Sequence, residues 1–446
     1  MAPDSWLNKV KSAIIDSVKY TMSPEAISAR RKPSVEILAF EVSSLMSKLV
    51  HLWRTLSDAQ ISRLRHETIV LEGVRKIVSD DDSFLLSLAC AELTGTLRLV
   101  AESTSMLSRR CNDPELRQFD RILKEFTDTG RDANRWVMTW KEMDAKAKKM
   151  DRYIASTAAL YKELDDLSDA ETVLKKLVHS SHNLNNSKLA TISDMQQKIF
   201  WQRQEVKYLR QTSLWGCSFD VAISLLARST CTVLARIKSV FGIGQETHPA
   251  AASLPRSMSV SAVVYPSSDT VSPRAMSPTD QCGLFESSSA MTTPPATTLG
   301  SYALALHYAN VIVVIEKMIR MPRAVGQDAR DDLYGMLPAS LRGQLRARLK
   351  GVGWGVARDV RLAAEWKAAM SRIVEWLLPV AQSTIRWQGE RSFERKSAAA
   401  APRTNVLLLQ TLYFANREKV EAAVAELLVG LNYVWRFEME MCLDMD

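Results

Sequence analysis

The sequence contains no CxxC pair, and its six cysteines, Cys90, Cys111, Cys217, Cys231, Cys282 and Cys442, stand far apart. That spacing excludes a zinc ribbon or a disulfide framework and makes free thiols in a reducing compartment the expectation. Long apolar runs are missing too. The most apolar stretch, TLGSYALALHYANVIVVIEKMI at 298–319, is unbroken only from Tyr302 to Ile315 and contains His307 and Asn310. A membrane span needs about 20 mostly apolar residues, so the stretch is expected to be the buried central helix of a bundle, with His307 hydrogen-bonded in the core. The N-terminus, MAPDSWLNKVKSAII, lacks the continuous apolar core of a secretory signal. No signal peptide, no transmembrane helix and an intracellular location are therefore expected.

Catalytic signatures are absent as well. There is no GxSxG, no Walker pattern, no HExxH and no paired-carboxylate constellation. The string GVGWG at 351–355 follows a basic helical segment instead of a strand, which is the wrong context for a phosphate cradle. His179 and His182 have i,i+3 spacing but no third ligand nearby. The expectation is a protein that is not an enzyme and needs no metal or cofactor.

What the chain does have is apolar material and a modest excess of cations. Of 446 residues 46% are hydrophobic, enough for real cores, and the formal net charge is +8 with a pI near 9.1. That balance permits contact with anionic lipid, acidic proteins or nucleic acid; a specific nucleic-acid partner is not expected. Seven of the fifteen prolines fall between His248 and Pro295, amid Ser and Thr. Such composition does not bury enough surface to offset the entropy of ordering, so 243–297 is expected as a disordered linker. Within it Ser272 and Ser277 each precede a proline and are phosphorylation candidates.

The linker divides the chain into an N-terminal amphipathic segment (1–33), an N-terminal helical domain (34–242) and a C-terminal helical domain (298–446). In the first segment Trp6, Val10, Ile14 and Val18 recur every four residues among Lys9, Lys11 and Lys19, a pattern that suits a membrane surface or docking on the bundle. From Trp136 the apolar positions Trp140, Met143, Ala147, Met150, Ile154, Tyr161 and Leu164 step by roughly three and four, which predicts a long helix. A second run, Met195, Ile199, Val206 and Leu209, follows the breaker HSSHNLNNS, so the two are expected to fold as an antiparallel hairpin packed within the chain, with an intermolecular coiled coil as the alternative. The acidic run Ser79 to Asp82 is expected to cap a helix. The fold class is thus all-α: two helical-bundle blocks, a long hairpin and a Ser/Pro-rich linker acting as a tether that raises one block's effective concentration near the other's partner.

Charge concentrates in one place. Between Arg342 and Arg361 lie Arg342, Arg346, Arg348, Lys350, Arg358 and Arg361 against the single acid Asp359. If 339–350 is helical, Leu341, Leu345 and Leu349 form a stripe beside a ridge of Arg342, Arg346 and Lys350. The ridge suits an anionic partner, or it is a solvated face partly neutralised by Asp328, Asp331 and Asp332; Trp354 is the candidate apolar anchor beside it.

Four segments have a familiar look when taken together: PSVEILAFEVSSLMSKLVHLWRTLSD and LEGVRKIVSDDDSFLLSLACAE in the first half, TLGSYALALHYANVIVVIEKM and DARDDLYGMLPASLRGQLRARLK in the second. They resemble the plant PSK SIMULATOR family, which joins an N-terminal domain of unknown function (3475) to a C-terminal one (668). The resemblance implies an intracellular plant protein that promotes growth in phytosulfokine and brassinosteroid signalling, located in cytoplasm, nucleus or peripherally at the plasma membrane. It carries over no catalytic residues. One branch is myristoylated at a glycine in position 2; Ala2 occupies it here, so that route is not expected. The expected function is a non-enzymatic signalling or scaffold protein with protein partners; the alternative is a peripheral membrane or trafficking factor bound to an anionic membrane surface.

Overall fold

The computed structural model describes residues 34–179, 186–243, 284–321, 325–350, 359–396 and 406–443. Among them the fold is all-α: no strand forms, and the only β pairings are isolated bridges, Ser34 to Ser218 and Thr298 to Asn416. Several expectations lie outside the described residues: the amphipathic segment 1–33, the linker from 244 to 283 with Ser272 and Ser277, His182, the GVGWG string and Trp354.

The N-terminal half is built on α1 (Ala39–Thr55), α4 (Asp82–Ser108) and α9 (Phe219–Phe241). In α1 the buried positions Val42, Leu45, Met46, Leu49, Leu52 and Trp53 recur at three- and four-residue steps, a stripe that faces the core. Asp81 begins α4 by accepting the Ser83 N–H at 2.8 Å, while Ser79 Oγ accepts the Asp81 N–H at 3.1 Å and Asp82 pairs with Arg75. The acidic run is a cap, as expected. By length and apolarity α4 is the one described helix that could cross a membrane, yet 56% of its most apolar window is buried in the bundle. Short helices α2 (Asp58–Arg63), α3 (Glu72–Ile77), α5 (Pro114–Arg117) and α6 (Phe119–Thr129) complete this half.

The hairpin is α7 (Trp140–His179) paired with α8 (Asn186–Thr212). The expected start at Trp136 moves to Trp140, because Trp136 lies before the helix, buried and stacked on Phe119 with ring centroids 5.8 Å apart. Met143, Ala147, Met150 and Leu160 are buried, but Tyr161 is half exposed, since the seam shifts to Thr157 and Leu160 where α7 leaves α1. The first turns of α7 are held to α1 by Trp53 Nε1, which donates to Asp144 at 3.1 Å, and by the Arg54–Asp151 pair at 2.6 Å. Farther out α7 packs on α8, through Ile199 and Val206 and the Arg203–Glu171 pair at 2.7 Å.

The C-terminal half comprises α11 (Ala305–Arg320), α12 (Gln327–Met336), α13 (Ala339–Leu349), α14 (Val360–Lys396) and α15 (Arg417–Leu443). The apolar stretch is the central helix here, although it starts at Ala305; Val311, Ile312 and Ile315 are fully buried. His307 donates its Nε2–H to the Met336 carbonyl at 2.7 Å, the hydrogen-bonded histidine expected.

Two features differ from the expected layout. Residues 284–297, assigned to the linker by composition, are folded: α10 (Leu284–Met291) lies on α4, with Leu284 and Phe285 against the N-terminal core. The physical reason is local, since LF and Met291 supply the apolar face that the Ser/Pro stretch lacks. In addition, the two halves share cores. Ile77 of α3 is buried among Tyr308, Ile312 and Leu377, and its carbonyl accepts the Asn416 N–H at 2.7 Å. In exchange Leu409 packs on Leu64, Leu85 and Ala89, Leu408 and Phe414 pack on Leu88, and Glu92 accepts the Leu408 N–H at 2.7 Å. At Gly73 a Cβ would stand 2.4 Å from the Trp376 carbonyl oxygen, so only glycine permits this approach of α3 to α14. The linker is therefore not what keeps the halves together.

Two outcomes are expected. A protease site inserted between 262 and 263 and then cut should leave two fragments that co-elute in gel filtration. Leu409→Asp, which sets an unpaired charge in an apolar pocket at a cost of about 3 kcal/mol or more, should make them separate; separation without the substitution would contradict the shared core.

Candidate functional site

The C-terminal half is organised around a buried carboxylate. Glu421, only 4% exposed, sits one turn into α15 and accepts from Arg417 Nε at 2.8 Å, Tyr308 Oη at 2.7 Å, Ser340 Oγ at 2.7 Å and Gln344 Nε2 at 3.0 Å. Those donors come from α11, α13 and α15, so one side chain ties three helices. Oε1 accepts from Arg417, Tyr308 and Ser340, and Oε2 accepts from Gln344, so both oxygens are engaged. Arg417 also donates to Ser340 Oγ at 3.1 Å and stacks 4.9 Å from the Tyr302 ring centroid. Burial alone would raise the Glu421 carboxyl, but hydrogen bonds from Arg417, Tyr308 and Ser340 outweigh it and hold the group below its ordinary range. Burial, then the Glu421 hydrogen bond and charge, push the Tyr308 hydroxyl far up, so it keeps its proton and donates.

This anchor fixes α13 on α15 and leaves a groove beside it. Leu341 and Leu345 point inward as the stripe predicts. Beyond them Leu333 and Leu337, with Leu345 and Leu349, face Leu428 and Leu431 of α15 across a cavity of about 720 Å³. A second cavity of about 510 Å³ shares Arg330, Leu349, Asn432 and Trp435 and continues along α15 to Met439. Arg330 lies flat on Trp435, its guanidinium carbon 3.5 Å from the ring centroid, a cation–π contact. Trp435 in turn donates its indole N–H to the Val325 carbonyl at 3.3 Å, and the Arg330 Nε is buried with no acceptor.

The predicted ridge is partly brought to this groove. Arg346 and Lys350 line it, whereas Arg342 stands one turn away. The guanidinium carbons of Arg342 and Arg346 are 6.0 and 5.9 Å from the Tyr334 ring centroid, and Arg346 Nε donates to the Tyr334 hydroxyl at 2.9 Å. Among the described residues no carboxylate forms an ion pair with Arg342, Arg346 or Lys350, while Asp331 lines the same cavity as Arg346 and Lys350. Neighbouring cations are engaged elsewhere: Arg348 with Glu426 at 2.5 Å and Arg361 with Glu365 at 3.1 Å. Sequence reasoning missed Arg330, Tyr334 and Trp435. The spacing of Leu428, Leu431 and Trp435 on α15 was a legible signal, but its meeting with α12, about a hundred residues earlier, was not.

Reactive groups elsewhere are quiet. Burial, reinforced by Asp220, pushes the Cys111 thiol up to about 12, and burial with Asp132 does the same for Cys231. Neither is a nucleophile near neutral pH. Among the described residues no three His, Cys, Asp or Glu side chains gather as a metal site.

Comparison with known proteins supports the resemblance read from the sequence. Residues 37–93 match a domain of unknown function (DUF3475), and residues 298–386 match a protein family of unknown function (DUF668). Protein PSK SIMULATOR 1 of Arabidopsis thaliana is 26% identical over 416 residues, 90% of this chain and 56% of that protein. Proteins PSK SIMULATOR 3 and 2 of the same plant are 27% and 25% identical, covering 89% and 91% of this chain and 56% and 60% of their own lengths. The chain is a distant homologue of these three and spans a little over half of their length. No solved structure matches it.

Removing the anchor should be costly. Glu421→Ala takes the carboxylate away from Arg417 and three neutral donors, and chemical denaturation at pH 7 should show a loss of about 3–5 kcal/mol; Tyr308→Phe should cost about 1.5–3 kcal/mol. Because the folded carboxyl titrates below its ordinary value of 4.5, its contribution is complete above about pH 4.5 and disappears as pH falls through the folded value. Stability should therefore decline less steeply between pH 5 and pH 3 in Glu421→Gln than in the unmodified protein; equal slopes would show that Glu421 is not the group responsible.

Proposed function

We propose that this chain is a non-enzymatic signalling or scaffold protein that promotes growth and holds partner proteins on its C-terminal half. The observation that carries the reading is the groove: an apolar floor with Arg346 and Lys350 on its rim, cations that no carboxylate of the described chain engages. Interior ionisable groups add support, because Glu421, Tyr308 and the buried thiols are absorbed in packing and hydrogen bonding and stand in no catalytic arrangement. The link to phytosulfokine and brassinosteroid signalling rests on family resemblance, as does a location in cytoplasm or nucleus. Phosphorylation at Ser272 and Ser277 would regulate the stretch between the halves. A second reading, attachment to anionic membranes, draws on the same exposed cations together with the basic amphipathic segment at 1–33.

The two readings separate when two assays are run on the same variant. Arabidopsis seedlings with reduced PSK SIMULATOR activity should regain growth when they express this chain, and not when Arg342, Arg346 and Lys350 are all changed to Glu. Folding should survive the change, because exposed charges contribute little to it. Equal rescue by the variant would refute a role for the ridge. Salt-sensitive co-sedimentation with phosphatidylserine vesicles, abolished by the same three changes, would favour the membrane reading instead.

A further inference from the structure

The two cavities beside α15 form one trough. From Leu428 to Met439 it follows α15 for about 17 Å at 1.5 Å per residue, the length of three helical turns. Its floor is leucine from α12, α13 and α15, and its walls carry Arg330, Arg346, Lys350 and Arg436 against the carboxylates Asp331 and Glu440. We propose that this trough takes an amphipathic α-helix of a partner protein, apolar along one face and acidic on its flanks. The proposal rests on the scaffold reading above and gives it a partner chemistry.

Shape and charge both support a helix. A trough of this length accepts side chains at i, i+3, i+4 and i+7, the spacing by which helices enter apolar grooves. A bilayer surface is broad, and the leucines of the floor lie below the Arg346 and Lys350 rim, where a flat partner does not reach them. Carboxylates on the flanks of the incoming helix would complement the rim, supplying the acceptor that the exposed Lys350 lacks. The wall at Trp435 and Arg330 is already assembled: the cation is held on the indole, and the indole is fixed by Val325. Less ordering is then needed on binding. The chain's own amphipathic segment at 1–33 is a poor occupant, because Lys9, Lys11 and Lys19 would oppose a cationic rim.

The test uses the full chain and two fluorescein-labelled 14-residue peptides with the same leucine spacing, one flanked by Glu and the other by Lys, followed by fluorescence anisotropy. The Glu peptide should bind saturably, the Lys peptide at least about tenfold more weakly, with the difference shrinking near 0.5 M salt. Arg346→Glu with Lys350→Glu should reverse the preference, while circular dichroism stays unchanged. A Trp435→Ala variant should weaken the Glu peptide without reversing it. Equal binding of both peptides, no saturable binding, or a double variant that keeps the Glu preference would overturn the proposal. So would capture by phosphatidylserine vesicles in place of the peptide. Peptide and growth assays fail separately: a variant that loses growth rescue in a protein that never bound the peptide sinks the helix alone. A protein that binds the peptide but whose reversed variant still supports growth leaves the helix site standing and removes its part in growth.

Discussion

The C-terminal half depends on the accommodation of one buried carboxylate. Glu421 would be an expensive residue to enclose without partners, since an unpaired ion loses its hydration and gains nothing. Its four donors arrive from three helices, so the carboxylate is satisfied only when α11, α13 and α15 are all in place. A leucine at that position would pack, yet it would specify no register. The network makes the position of α13 a requirement of folding, and the position of α13 sets the groove, the placement of Arg346 and Lys350, and the stacking of both ridge arginines on Tyr334.

A second constraint acts between the halves. Ile77 is lent to the C-terminal core, and Leu408, Leu409 and Phe414 are lent to the N-terminal one. Each buried side chain contributes roughly 1.5–3 kcal/mol, comparable in sum to the stability of a small domain. The halves therefore move together, and the groove is held in fixed relation to the hairpin of α7 and α8. That hairpin projects Phe200, Trp201 and Tyr208 to solvent on a helix whose opposite side already packs on α7 through Ile199 and Val206. A body with shared cores differs from two beads on a string, and the stretch between 243 and 284 connects elements already in contact.

The sequence disclosed the class of fold and its long helices because these are local. Three- and four-residue steps, the cap at Asp81 and the breaker near 180 each act within a few residues. The central helix was legible from its apolarity, and His307 from its surroundings. Exchange between the halves was not, because nothing in Ile77 or Leu409 says which of two cores will receive it. The ridge illustrates the boundary. Arg346 and Lys350 were found from charge density on one helix, whereas Arg330 and Trp435 required knowing that α12 and α15 lie side by side. Glu421 looked like any i,i+4 partner of Arg417; its burial follows from the arrival of Tyr308, Ser340 and Gln344 from distant positions. The folding of 284–297 was misjudged because a window dominated by Ser and Pro hid the short apolar face of α10.

The claim that one carboxylate positions the groove is tested most directly by amide hydrogen exchange in Glu421→Gln at neutral pH. The side chain keeps its size but confronts its donors with an amide. Exchange should quicken selectively across 339–349, the span of α13, and at the start of α15, while α1, α4 and α9 keep their protection. Unchanged exchange in α13, or acceleration spread evenly through both halves, would contradict the account.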